Sequence, residues 1–150
     1  MKIGNPPMNI RCVTYQDKFS ADKSAFKDLM IGYEHHVVGC GSKVFAASNE
    51  GDLVVINAAD KSGVRHAVIG RLVEKLDRCD KWSAEGGLDW PYNWTYAPLT
   101  SIFQYDEGLQ REMKVFCEGH SLKHKNLFHS RFCSNKLQFA IEYLITKFRS

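Results

Sequence analysis

The chain has 150 residues, 44% of them apolar and 25% charged, enough to bury about two-thirds of the unfolded surface, which excludes a disordered tail or a mini-protein that needs staples to fold. Its formal charge of +3 excludes a polybasic protein, but the charge is unevenly laid. Met1 to Gln110 carries 12 Lys and Arg against 14 Asp and Glu, whereas Arg111 to Ser150 carries 8 against 3, an asymmetry that hints at an anionic partner and equally suits a solvated basic face.

In chain order, Gly4 to Pro7 breaks regular structure, and Ile10 to Tyr15 reads as a short strand with Ile10, Cys12 or Val13, and Tyr15 apolar. Ser20 to Ile31 reads as a helix capped by Ser20 or Asp22, burying Phe26, Leu29 and Met30 beside Ala25, with Gly32 as its stop. His36 to Ser48 is ambiguous between strand and helical turn, and Gly39 and Gly41 demand a tightly turned backbone. Asn49 to Asp52 is a turn before Leu53 to Ala58, an apolar run suited to a strand buried on both faces. A second turn, Asp60 to Gly63, introduces a strand from His66 to Leu76, in which Gly70 predicts a bulge or a close backbone approach.

Arg78 to Asn93 reads as a loop, Tyr96 to Tyr105 resumes strand character, and Gln110 to Cys117 alternates as another strand. After a His-rich connection, Ser134 or Asn135 caps a C-terminal amphipathic helix with Leu137, Ala140, Ile141, Leu144, Ile145 and Phe148 as its buried stripe. No repeat or linker divides the chain, so the expectation is one α+β domain over 1–150. Five cysteines, odd in number and never CxxC, do not make a disulfide framework. The segment MKIGNPPMNI lacks a signal-peptide core and no window approaches the ~18 apolar residues of a span, so a cytoplasmic setting without a membrane partner is expected.

Three short pieces carry a family resemblance: Gly51-Asp52 opening an apolar strand, Val68-Ile69-Gly70 leading into Leu72-Val73-Glu74, and Pro98-Leu99 after an aromatic loop. With the order of elements around them, over roughly residues 32 to 148, the chain resembles the PUA-like superfamily and, within it, the EVE and YTH group. The resemblance implies a small, mixed, partly open β-barrel flanked by helices that binds RNA or a modified base between barrel and helices. Gly51 and Asp52 would then form the turn before the central strand, with pocket walls from Val37 to Lys43 and from Trp82 to Tyr96. Where the EVE group carries a tryptophan near its N-terminal strand, this chain has only Tyr15 and Phe19.

Trp82, Trp90, Tyr92, Trp94 and Tyr96 crowd into 15 positions, and the last four share one parity and hence one face of an extended segment. Such a face can stack nucleobases; the alternative is that the rings plug the end of a barrel. His120, Lys123, His124, Lys125, His129, Arg131 and Lys136 make a basic run whose physical use is phosphate contact. Cys117, His120, His124, His129 and Cys133 match no standard zinc finger, and no nucleophile motif, P-loop or dinucleotide loop is present.

The expectation is therefore a non-catalytic nucleic-acid-binding domain without cofactor or metal, taking RNA or single-stranded or modified DNA. In it Trp82, Trp90, Trp94 and Tyr96 line the ligand site, backbone near Gly39, Gly41 and Ser42 meets a base edge, and Lys123, Lys125 and Arg131 hold phosphates. The alternatives are a small metal- or His-dependent hydrolase or nuclease, and a protein-interaction module anchored by the Trp-rich loop.

Overall fold

A computed structural model describes residues 9–16, 25–113 and 138–149. In chain order these form β1 (Ile10–Tyr15), α1 (Ala25–His35), β2 (Val37–Cys40), α2 (Lys43–Ala46), β3 (Leu53–Ala59), β4 (Arg65–Leu76), α3 (Lys81–Ala84), β5 (Tyr92–Pro98), β6 (Phe103–Gln104), α4 (Glu107–Met113) and α5 (Gln138–Lys147). The class is mixed α+β with a C-terminal helix, built on one curled, open sheet.

The strands lie in the order β1-β3-β4-β5-β2, with β6 beside β4. β1 runs parallel to β3, and the other pairs are antiparallel. β4 is long enough to serve two partners on one edge: β6 takes His66 and Ala67, and β5 takes Gly70 onward. Where β5 gives way to β6, Thr100 fills the gap, its hydroxyl accepting from Ile69 N–H at 3.0 Å while Leu99 N–H donates to the Ile69 carbonyl at 2.8 Å.

β1 and β2 are opposite ends of the strand order, yet they meet. The Tyr15 hydroxyl donates to the Gly39 carbonyl at 2.9 Å and accepts from Gly39 N–H at 3.0 Å. Curling has brought the two edges within one side chain of each other, and a phenol substitutes there for a missing rung of ladder. The result is a half-barrel that satisfies edge groups without full closure.

Alternation along the strands sorts the core onto two faces. Ile10, Leu53, Val55, Ala67 and Ile69 point outward and pack against Leu109 and Met113 of α4 and Ala140, Ile141 and Leu144 of α5. Val13, Tyr15, Val54, Ile56, Ala58, Val68, Leu72, Trp94 and Tyr96 point inward and pack against Ala25 and Leu29 of α1 and Phe45 of α2. β3 is thus buried on both sides, as its continuous apolar run requires.

Several sequence expectations are corrected. Gly32 does not end α1; it lies inside it, because a Cβ there would stand 2.4 Å from the Val37 carbonyl oxygen, and only glycine admits that approach. The helix stops at His35, followed by His36 in the left-handed region at φ 56°. Its buried stripe is Ala25, Asp28, Leu29 and Gly32, the i, i+3, i+4, i+7 set, which leaves Met30 exposed.

The strand expected from Gln110 is instead helix α4 as far as Met113. Asp106 caps it by accepting from Leu109 N–H at 2.8 Å, and Leu109 and Met113, four apart, bury one face. A helical turn, α3, interrupts the loop expected from Arg78 to Asn93, and the strand expected from Tyr96 begins earlier, at Tyr92. At Gly70 the close approach is real, whereas the bulge comes two residues later, between Leu72 and Glu74. Gly51, at φ 92°, turns the chain into β3, which neighbours the central strand β4. Cys12 is in a disulfide, while Cys40 and Cys79 are free thiols. The caps assigned to Ser20, Asp22, Ser134 and Asn135 lie outside the described residues.

Candidate functional site

Pro91 cannot donate to a ladder, and β5 begins directly after it. From there Trp94 and Tyr96 point to the inner face, with Trp90 and Tyr92 packed against the same cluster. Two glycines make this possible. A Cβ on Gly39 would lie 2.5 Å from Trp90 Cβ, and one on Gly70 would lie 2.4 Å from Tyr96 Cδ2, so each ring rests on bare backbone of a neighbouring strand.

The polar tips of these rings differ sharply. Trp82 is fully buried and satisfied: its Nε1–H donates to Asn93 Oδ1 at 2.8 Å, and Asn93 Nδ2 in turn donates to the Trp90 carbonyl at 2.8 Å. It belongs to a separate cluster with Ile31, Val37 and Cys79, and offers neither an accessible face nor a spare donor for a ligand. By contrast, Trp90 Nε1, Trp94 Nε1 and the Tyr96 hydroxyl are buried with no hydrogen-bond partner among the described residues. Trp94 and Tyr96 are only 5% and 2% exposed. A buried group in that state costs roughly 1–3 kcal/mol, so three along one segment are a concentrated deficit. Arg11 Nε and Ser48 Oγ also have no hydrogen-bond partner among the described residues, and Arg11 lies 3.8 Å from Asp52.

Burial pushes the phenols of Tyr15 and Tyr96 well above the ordinary tyrosine range, helped in Tyr96 by neighbouring Tyr33. Both remain neutral O–H groups at any physiological pH. The Tyr15 ring also lies 5.2 Å from that of Trp90 and 6.3 Å, edge-on, from that of Trp82, so the edge-closing residue is the wall shared by both tryptophans.

The register of β2 against β5 sets Cys40 opposite Tyr92, which places exposed Gly41 and Ser42 at the same end of the pair as Trp90 and Pro91. The structure therefore gathers Gly39, Gly41, Ser42, Trp90, Trp94 and Tyr96 around the β2–β5 pair and sets Trp82 behind it. Gly39 spends both backbone groups on Tyr15. A Cβ on Gly41 would meet nothing within 4 Å among the described residues, and Gly41 and Ser42 are exposed. Lys123, Lys125 and Arg131 lie outside the described residues, as do the histidines and cysteines weighed as zinc ligands.

Two features escaped the sequence reading. The Tyr15–Gly39 closure joins residues 24 apart on opposite sheet edges, and no local pattern announces such a contact. Asp28, buried in α1, accepts from Leu88 N–H at 3.2 Å and pins the Trp-bearing loop to the helix.

Elsewhere, Asp60 accepts from Ser62 N–H at 2.8 Å and Val64 N–H at 3.1 Å, and it pairs with His66 Nε2 at 2.8 Å. The Ser62 hydroxyl and His66 hold its carboxyl well below the usual range, and the arrangement tightens the β3–β4 turn. Among the described residues one group could ligate a metal: Glu34, His35 and Glu85, whose donor atoms lie within 4.8 Å of one another. His35 Nε2 and Glu85 Oε2, 2.8 Å apart, make it an exposed cross-link between α1 and the end of α3.

No protein-family model matches the chain, and no curated protein matches it. No helix among the described residues is long and apolar enough to cross a membrane.

Proposed function

We propose that this chain is a PUA-like nucleic-acid-binding domain whose inner aromatic face takes one unpaired or flipped base of RNA or single-stranded DNA. The observation that carries the reading is the run of donors on Trp90, Trp94 and Tyr96 that have no hydrogen-bond partner among the described residues. Aromatic rings with unspent donors are what a base requires: a flat surface worth about 1–3 kcal/mol per stacked base and hydrogen-bond groups for its edge. The half-barrel closed by Tyr15 and covered by α1 supports it, since it collects the rings on one inner face beside the exposed end of the β2–β5 pair at Gly41 and Ser42. In this reading Lys123, Lys125 and Arg131 hold the flanking phosphates.

Tryptophan fluorescence during titration with short single-stranded RNA and DNA tests the proposal. Saturable quenching is expected, with affinity falling as salt rises. Replacing Lys123, Lys125 and Arg131 together by alanine should lower the salt slope by about 2, at ~0.7 per phosphate on a single strand. An interaction module anchored by the aromatic loop would respond weakly to salt. Absence of binding at low salt overturns the proposal.

A further inference from the structure

The ends of α1 and α3 bring three metal-ligating side chains together. Glu34 and His35 close α1, and Glu85 follows the last residue of α3. One donor atom from each lies within 4.8 Å of the other two, and His35 Nε2 stands 2.8 Å from Glu85 Oε2. A tetrahedral ion with bonds of about 2.0–2.2 Å sets its donors about 3.3–3.6 Å apart, so these distances bracket what one ion requires. Both glutamates are exposed and His35 is half-buried, which leaves the carboxylates room to turn. Pairing within the cluster is incomplete. Glu85 is joined to His35, whereas the Glu34 side chain has no hydrogen bond or ion pair among the described residues, and neither carboxylate pairs with a lysine or arginine there. Lys27 borders the cluster, its Nζ 3.0 Å from where a Cβ on Gly86 would stand. Two carboxylates held this close without a cation between them repel, and a divalent ion relieves the repulsion while keeping the imidazole as a ligand.

Independently of the nucleic-acid reading above, we propose that Glu34, His35 and Glu85 form a surface site for one Zn²⁺ ion. One imidazole with two carboxylates suits Zn²⁺, whereas Mg²⁺ takes an oxygen shell and keeps much of its water. Three protein ligands leave a fourth position open to solvent. The ion ties α1 to α3, whose Trp82 already packs on α1, its Cη2 3.2 Å from where a Cβ on Gly32 would stand. Zinc therefore stabilises the seating of the segment that leads to Trp90.

The full chain, stripped with a chelator, is titrated with Zn²⁺ alone by calorimetry and melted with and without it. At a free concentration about 100 times its dissociation constant, Zn²⁺ should shift the folding equilibrium about 100-fold toward the folded state and raise the melting temperature. Mg²⁺ at the same concentration should not. Glu34→Gln is the deciding variant, because it leaves the His35–Glu85 cross-link in place. Without zinc it should melt with the parent, and its affinity for zinc should be at least about 10-fold weaker, the loss that follows even from removing groups behind a ligand. Glu85→Gln should weaken zinc binding likewise. Zinc held elsewhere, at thiols such as Cys40, would survive both substitutions. No zinc binding, zinc binding of unchanged affinity and stoichiometry in both variants, or an equal shift with Mg²⁺ overturns the proposal.

Discussion

The two faces of the curled sheet are built from the same strands by the same alternation, yet they are finished differently. The outer face is closed by α4 and α5 with Leu, Ile, Met and Ala against Ile, Val and Ala of the strands, and Phe103 stacks on Phe148 with ring centroids 4.4 Å apart. Its polar cross-links lie at the surface, where Glu112 of α4 receives Lys147 Nζ at 2.9 Å and the Tyr143 hydroxyl of α5. The inner face is finished with tyrosine and tryptophan, three of whose buried donors have no hydrogen-bond partner among the described residues, whereas the outer cluster includes one buried tyrosine, Tyr105. A fold needs only the first arrangement, and the second costs stability. The difference argues that the inner face is shaped for something besides folding.

The largest effect should come from breaking the outer face. Leu144 is fully buried between α5 and the sheet, and truncation to alanine removes its methyl groups and leaves a cavity, so Leu144→Ala should destabilise by about 2–5 kcal/mol in chemical denaturation. Oligonucleotide binding by the fraction still folded should be unchanged, because the buried residues of α5 belong to the outer cluster. Next comes the closure. Tyr15→Phe keeps the ring against Trp90 and Trp82 but strands both backbone groups of Gly39, for a cost of about 1–3 kcal/mol. A loss below about 0.5 kcal/mol would mean that those groups find water and that the edges are not held together by the phenol.

The inner face also predicts a pH limit. Phenols of the unfolded chain ionise near pH 10.0, while Tyr15 and Tyr96 resist ionisation to well above that because burial penalises the phenolate. Between those limits the unfolded state binds fewer protons than the folded one, so stability falls as pH rises above about 10 and is flat with respect to these groups below it. Phenolate absorbance should show two tyrosines that titrate only as the protein unfolds. Two that titrate in the folded protein would place these hydroxyls in water.

How much of this was legible in the sequence follows from the range of the interactions. The strands β3 and β4 and the stripe of α5 could be read, because their apolar periodicities are local and unbroken. The α1 boundary and α4 were misread for opposite reasons. Gly32 looks like a stop in isolation, but it is a contact site for Val37, and Met113 to Cys117 alternates like a strand although Asp106 has already started a helix. At the candidate site, the shared parity of Trp94 and Tyr96 could be read, whereas the distinction between Trp82 and the other tryptophans could not. That distinction depends on Asn93 reaching one indole and not the others, a matter of three-dimensional placement.

The smallest expected change is the most discriminating, because it compares two buried phenols on one face. Tyr15 and Tyr96 are 3% and 2% exposed, both point inward, and both are neutral. They differ in that the Tyr15 hydroxyl makes two hydrogen bonds and the Tyr96 hydroxyl makes none among the described residues. Removing a hydroxyl that already pays its burial penalty without compensation leaves nothing unpaired, so Tyr96→Phe should change the stability of the free protein by less than about 0.5 kcal/mol, or raise it. If Tyr96→Phe instead costs as much as Tyr15→Phe, the hydroxyl has a partner in the free protein and belongs to the fold. Neutral stability together with weakened binding of single-stranded oligonucleotides would assign that oxygen to ligand recognition.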